Sequence, residues 1–317
     1  MPLPLKKTTK PKVFFFGACD LWESLNIDII RRDFALDRLS YPYIEYGDSL
    51  DFEKSQRPAW STSLISLYTS PGPIAIRVHE TLAKEKQLMF YHYDTYKEIL
   101  KFPFLKFFKE NAGPDDVLVM SFSSDLYTKI HAGLERFSIL PAMAPLEDTR
   151  ESLTWLKAEY FNKHQYHVPF DHEGSMNETW SVMEDFARDI YEIFGDRVVL
   201  VKTHITNLGI TDADFKISQI KMSCENNIPY YRSTRIVTDP TDHKYAQRCI
   251  DLIMHQFKRR YKADVPVVAM TEPFFLDLTH HWGFAPFHLH KTSTYKIGQL
   301  IHKELHNIQN KIKKKNG

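Results

Sequence analysis

Short unbroken apolar runs recur along the chain at residues 13–16, 88–91, 117–122, 198–201 and 265–270. Runs of this length lack the alternation of a half-exposed strand and are too short for a helix, so each predicts a strand buried on both faces. Valine in the last three strengthens that reading. Pro266 fits only at the start of its strand, where no ladder donor is needed. Between the runs, apolar residues fall at helical spacing over residues 95–111, 147–162, 176–194, 212–227 and 242–261. Pro103 must kink or split the first of these, and Asp212 and Asp242 are suited to cap the last two. Strands alternating with helices predict an α/β fold with a mainly parallel sheet covered on both sides. Residues 1–11, with Pro2, Pro4 and Pro11 among Lys and Thr, read as a flexible arm. One domain then spans 12–305, and 306–317 is a basic tail. Within the domain, the Pro-, Ser- and Tyr-rich stretch 40–75 reads as a lid or substrate loop carrying a short helix.

Composition narrows the classes. Of 317 residues, 43% are hydrophobic, enough to fill a core and too many for a disordered chain. Lys and Arg total 41 against 40 Asp and Glu, so no global charge invites nucleic acid. The basic end, Lys311 to Lys315, follows a helical pattern and suits a frayed terminus or a weak attraction to an anionic surface. Three widely spaced cysteines, Cys19, Cys224 and Cys249, fit neither a disulfide scaffold nor a zinc ribbon, and reduced thiols suit a cytoplasmic protein. No apolar stretch is long enough for a signal peptide or a membrane span.

Ligands of open parallel sheets bind beyond the carboxyl ends of the strands, so the residues just after each run are informative. They are Gly17-Ala18-Cys19-Asp20; Ser121, Ser123, Ser124 and Asp125; Lys202-Thr203-His204; and Thr271, Glu272 and then Asp277. A thiol at a strand-to-helix turn faces backbone N–H groups that favour a thiolate and stabilise an oxyanion, which makes Cys19 a candidate nucleophile. An inert packed thiol would occupy the same place. In Asp277-Leu278-Thr279-His280 the carboxylate can orient the imidazole, whose other nitrogen then serves as base. Among 15 histidines such a pairing also arises by chance. His280, His288 and His290 lack a second group at ligand spacing, so no metal is expected.

Taken together, the two segments resemble the SGNH hydrolase superfamily, with Phe16-Gly17-Ala18-Cys19 at its Gly-Asp-Ser block and Asp277-Leu278-Thr279-His280 at its Asp-x-x-His block. Ser123-Ser124-Asp125 stands where the Gly-x-Asn block would fall, and no Asn is present. A longer resemblance is to an SGNH-like family of bacterial capsule and surface-polysaccharide gene clusters. It is carried by Gly17-Ala18-Cys19, by Arg57 followed by Ser61, Ser63, Ser66 and Leu67, and by Asp277 through His288 with Trp282, Gly283, Pro286 and Phe287. The Arg-to-Ser spacing is longer here, and Ala18 replaces the family's Ser, leaving Cys19 as the motif's nucleophile.

The resemblance implies a three-layer sandwich with a flavodoxin-like (SGNH) central sheet. It also implies an acyl-transfer site of Cys19, His280 and Asp277, with Arg57, Ser61, Ser63, Ser123, Trp282 and His288 contacting substrate. Arg57 suits a carboxylate or phosphate, and Trp60 and Trp282 suit either a sugar ring or the core. Three readings follow. The first is an O-acetyltransferase that uses acetyl-CoA to modify a capsular or surface polysaccharide or its precursor, peripheral to a membrane-bound assembly complex. The second is an esterase or deacetylase using the same residues. The third is a non-catalytic capsule-assembly binding module, favoured by Ala18 and the missing Asn block.

Overall fold

The apolar runs become strands because each offers hydrophobic side chains to both faces of a sheet. A computed structural model describes residues 10–17, 19–36, 43–44, 57–58, 77, 104–122, 129–132, 135–138, 173–202, 208–211, 217–219, 223–225, 228–231, 234–235, 240–279 and 289–316. The first elements are β1 (Lys12–Phe16), α1 (Cys19–Leu25), α2 (Asp28–Asp33), β2 (Ala35–Leu36), β3 (Tyr43–Ile44), β4 (Arg57–Pro58), α3 (Phe104–Asn111) and β5 (Val117–Met120). Then come β6 (Lys129–Ala132), β7 (Glu135–Ser138), α4 (Glu173–Phe194), β8 (Val198–Val201), β9 (Leu208–Ile210), β10 (Ile217–Gln219), β11 (Ser223–Glu225), β12 (Ile228–Tyr231) and β13 (Thr234–Arg235). The last are α5 (Pro240–Tyr261), β14 (Val267–Val268), β15 (Leu276–Asp277) and α6 (Lys291–Asn316).

Five strands form one sheet in the order β14-β8-β5-β1-β2, every neighbouring pair parallel. Register pairs Val13 with Val117 and Phe16 with Met120, and on the other side Leu118 with Val198. Alternate side chains then feed two separate cores. Phe14, Phe16, Leu118, Met120, Val198 and Leu200 pack with Phe108 of α3, Phe186 and Phe194 of α4, and Ile253 and Phe257 of α5. Val13, Phe15, Val117, Val119, Val199 and Val201 pack with Leu21 of α1, Ile30 of α2, and Ile297, Ile301 and Leu305 of α6.

The division of helices between the faces follows from handedness. Parallel crossovers are right-handed, so helices change face where the chain reverses its direction across the sheet. From β1 the chain moves outward to β2 over α1 and α2, and then builds β5, β8 and β14 in the opposite direction under α3, α4 and α5. The reversal lies between β1 and β5.

Polar groups tie the amino edge. Asp116 accepts from the backbone N–H of Lys12 (2.8 Å) and of Gly113 (2.7 Å). The half-buried Arg197 guanidinium donates to the carbonyls of Gly113, Asp116 and Ile193 at 2.7, 2.6 and 3.1 Å. Burial lowers its pKa from the usual arginine value.

Several elements differ from the sequence expectation. The helix expected over 212–227 is replaced by β10 and β11. There, antiparallel pairing of β10 on β9 and of β11 on β12 overrides helical spacing, and Ile217 is 55% exposed. The expected helix 95–111 is seen from Phe104, immediately after Pro103; residues 95–103 lie outside the described residues. Helix α5 starts at Pro240, which places Asp242 inside its first turn rather than at the cap. The run 265–270 forms only two strand residues, with Pro266 just before them offering its carbonyl to Leu200 N–H at 3.0 Å. The strand expected at 88–91 and the helix at 147–162 lie outside the described residues. Within 40–75 the described residues are the antiparallel pair β3 and β4.

Candidate functional site at the carboxyl edge

At the reversal between β1 and β5 the connections leave toward opposite faces, and parallel sheets bind ligands beyond the carboxyl ends of the strands at such a point. Gly17 follows β1 there, and Ser121 and Phe122 follow β5, all three buried. Ser121 N–H donates to the Phe16 carbonyl (2.8 Å), which extends the ladder one residue past the strands. A Cβ on Gly17 would collide with Ser121 Oγ and would lie 2.6 Å from Leu21 Cδ2. The turn can press against the end of β5 only because residue 17 has no side chain. Cys19 is the first residue of α1, two positions beyond this contact.

Asp277 lies on β15, outside the five-stranded sheet. Beyond β14 the chain runs through Thr271 and Glu272 to β15, which lies parallel to β9, the strand that follows β8. Gly209 of β9 permits this approach: a Cβ there would stand 2.5 Å from Leu278 Cδ2 and 2.8 Å from its Cγ. Phe275 N–H donates to Ser293 Oγ (3.0 Å), and His290 N–H donates to the Phe275 carbonyl (2.8 Å). Leu276 and Leu289 are bridged, so the two ends of the Asp277-to-His288 segment lie side by side at the base of α6. Leu276 belongs to the same apolar cluster as Leu21, two residues after Cys19.

The half-buried Asp277 carboxylate is held by its neighbour. Its Oδ1 accepts from Thr279 N–H (2.8 Å) and from the Thr279 hydroxyl (2.9 Å), an Asx turn that fixes the carboxylate rotamer. Arg57 lies on β4, opposite Ile44 in register. His280, Ser61, Ser63, Ser123, Trp282 and His288 lie outside the described residues, as do Trp60 and Ala18. The fold places the Cys19 turn directly after β1 and Asp277 on β15, in the three-stranded sheet with β9 and β10, and no described contact joins the two. Arg57 is not joined to them by any described contact.

His290, one of the histidines weighed as a metal ligand, has a structural place. It is fully buried before α6, and its Nδ1 lies 2.9 Å from Thr292 Oγ1. Its carbonyl accepts from the N–H groups of Ser293 and Thr294. Cys249, on α5, is likewise buried in the core. Sequence reasoning passed over a different cluster, Asp33 with His302 and His306, the one group of three His, Cys, Asp or Glu ligand atoms found within 4.8 Å of one another among the described residues. The legible signal was His302-x-x-x-His306, two imidazoles one helical turn apart. No described helix is long and apolar enough to cross a membrane. Comparison of the chain with family models, with curated proteins and with solved structures gave no match.

Proposed function

We propose that the chain is an O-acetyltransferase acting on a capsular or surface polysaccharide or its precursor, built as a three-layer SGNH-like sandwich. The observation that supports this reading is the position of the Gly17-Ala18-Cys19 turn at the chain reversal of a parallel sheet, the place where such sheets bind ligands. Cys19 is the nucleophile, His280 the base and Asp277 the carboxylate that orients it. The Asx turn at Asp277 favours the last role, because it holds one carboxylate oxygen and presents the other in a set direction.

In the first half-reaction His280 removes the Cys19 proton, and the thiolate attacks the thioester carbonyl of acetyl-CoA. The C–S bond to CoA breaks, His280 returns the proton to the departing thiolate, and Cys19 keeps the acetyl group as a thioester. In the second half His280 takes the proton of a sugar hydroxyl, whose oxygen attacks the acetyl carbon; the C–S bond to Cys19 breaks, and His280 returns the proton to the departing Cys19 thiolate. General base catalysis of this kind contributes about 10²- to 10⁴-fold. Arg57, Ser61, Ser63, Ser123, Trp282 and His288 are the side chains proposed to hold the sugar and donor. Transfer exceeds hydrolysis if the 40–75 stretch excludes water from the acetylated thiol.

The test is intact-protein mass spectrometry after rapid mixing with acetyl-CoA, with a capsular oligosaccharide present or absent. The expected result is one acetyl group on Cys19, discharged to the sugar, and absent from Cys19→Ala and His280→Ala. Acetate release without sugar acetylation would make the chain an esterase. No adduct and no labelled sugar would overturn the acyl-transfer reading and leave a binding module.

A further inference from the structure

At the opposite, amino edge of the sheet, α2 ends in Asp33 just before β2. The last helix, α6, buries the stripe Ile297, Ile301, Leu305 and Ile308 against the sheet. His302 and His306 flank that stripe, so the packing that seats α6 also carries both imidazoles to Asp33. His302 Nε2 lies 2.8 Å and His306 Nε2 3.2 Å from the same oxygen, Asp33 Oδ2, and the two nitrogens are 3.0 Å apart. The site is partly shielded: the side chains of Asp33, His302 and His306 are 26%, 14% and 46% exposed. Phe34 sets its ring edge-on to both imidazoles, at 6.2 and 5.4 Å between centroids. Arg32 grips the carboxylate from the other side, with Nε donating to Asp33 Oδ1 at 3.0 Å and Nη2 to Oδ2 at 3.4 Å, while Oδ2 also meets both imidazoles.

Hydrogen bonds alone serve this triangle poorly. If both Nε2 atoms carry protons, both donate to Oδ2 and two N–H groups crowd each other. If one does not, its lone pair faces either the carboxylate or the other ring. A cation at the apex satisfies all three lone pairs together. Ligand bonds of about 2.0–2.1 Å to nitrogen and oxygen in tetrahedral array place neighbouring donors about 3.3 Å apart. The observed edges of 2.8, 3.0 and 3.2 Å need to open by only a few tenths of an ångström. A metal about 1.1 Å above the donor plane would already reach all three at that bond length.

We propose that Asp33, His302 and His306 bind one divalent ion of the zinc, cobalt or nickel class, which fastens α6 to the end of α2. Two imidazoles and a carboxylate suit these ions better than calcium or magnesium, which take mainly oxygen. The place in the fold assigns the ion a structural task, because the amino edge is the one that parallel sheets do not use for ligands. The residues it joins are 269 and 273 positions apart in sequence, so the ion would close most of the chain into one loop.

The test uses the tag-free full chain, stripped with chelator and titrated with zinc chloride in a calorimeter and a thermal unfolding assay. One zinc per chain with micromolar or tighter affinity and a raised unfolding temperature is expected. His302→Ala/His306→Ala should weaken binding about 100-fold or more, while His255→Ala, at an exposed position on α5, leaves it unchanged. The absence of saturable binding, or equal binding by the double variant, overturns the proposal. X-ray absorption on zinc-loaded wild type decides the matter even if the double variant does not fold. Two imidazoles with only nitrogen and oxygen neighbours support the site, and sulfur neighbours would place the zinc on cysteine and refute it.

Discussion

Gly17→Ala tests whether the candidate nucleophile turn sits where the fold places it. The added methyl would meet Ser121 Oγ and Leu21 Cδ2, the latter at 2.6 Å, with Leu21 Cβ at 3.1 Å. Ordinary contact begins near 3.4 Å, so at least one neighbour must move by most of an ångström. Neither has room, because Ser121 is fully buried and Leu21 is 1% exposed. Overpacking of this kind costs about 1–3 kcal/mol, and the two severe contacts here argue for about 2. Urea unfolding followed by far-ultraviolet circular dichroism measures it. Ser121→Ala removes one of the colliding atoms, so the Gly17→Ala/Ser121→Ala double variant should recover about 0.5–1 kcal/mol relative to the sum of the singles. The same displacement shifts the start of α1, and misplacement by about 1 Å costs on the order of 100-fold in rate, so acetylation of Cys19 should slow as well. A Gly17→Ala protein within about 0.5 kcal/mol of wild type, or strictly additive effects, would show that the turn does not pack against β5.

Asp116→Ala leaves the N–H groups of Lys12 and Gly113, in part-buried hydrogen bonds, without their carboxylate acceptor, and the expected loss is about 1–3 kcal/mol by urea unfolding. A loss under about 0.5 kcal/mol would show that water replaces the carboxylate. For Asp33, the Arg32 guanidinium, then His302 and His306, hold the carboxyl well below the usual carboxylate range. A depressed folded-state pKa stabilises the fold above the unfolded value of about 3.9, and that contribution disappears as pH falls through the lower folded value. Carbon NMR of metal-free protein should therefore find Asp33 ionised at about pH 3, with Arg32→Ala moving its titration upward; a titration in the ordinary carboxylate range would contradict the geometry.

The strands of the main sheet were legible because burial on both faces demands apolar side chains at every position. That demand writes Val13 to Phe16, Val117 to Met120 and Val198 to Val201 into the chain without reference to any partner. Helices α4 and α5 were legible for a similar reason, since one long stripe must face one sheet. The stretch 212–227 was misread because small sheets such as β9 with β10 draw their stability from a neighbour strand, which local spacing does not encode. In the candidate site, Cys19 and Asp277 could be named from residue type and from their places after predicted strands. Arg57 could not be linked to them, because its only described pairing is with β3.

By itself, then, the amino-acid sequence determined the layer plan: buried parallel strands, amphipathic helices, and polar residues collected just after the strands. These follow from local periodicity and from the cost of burying a polar group, which act residue by residue. Tertiary structure alone decided the strand order, and with it the chain reversal that sets Gly17 against Ser121. It alone brought Asp33 to His302 and His306, 269 and 273 residues away. Such meetings depend on which faces pack together and in what register, and a helix or strand pattern is silent about its partner.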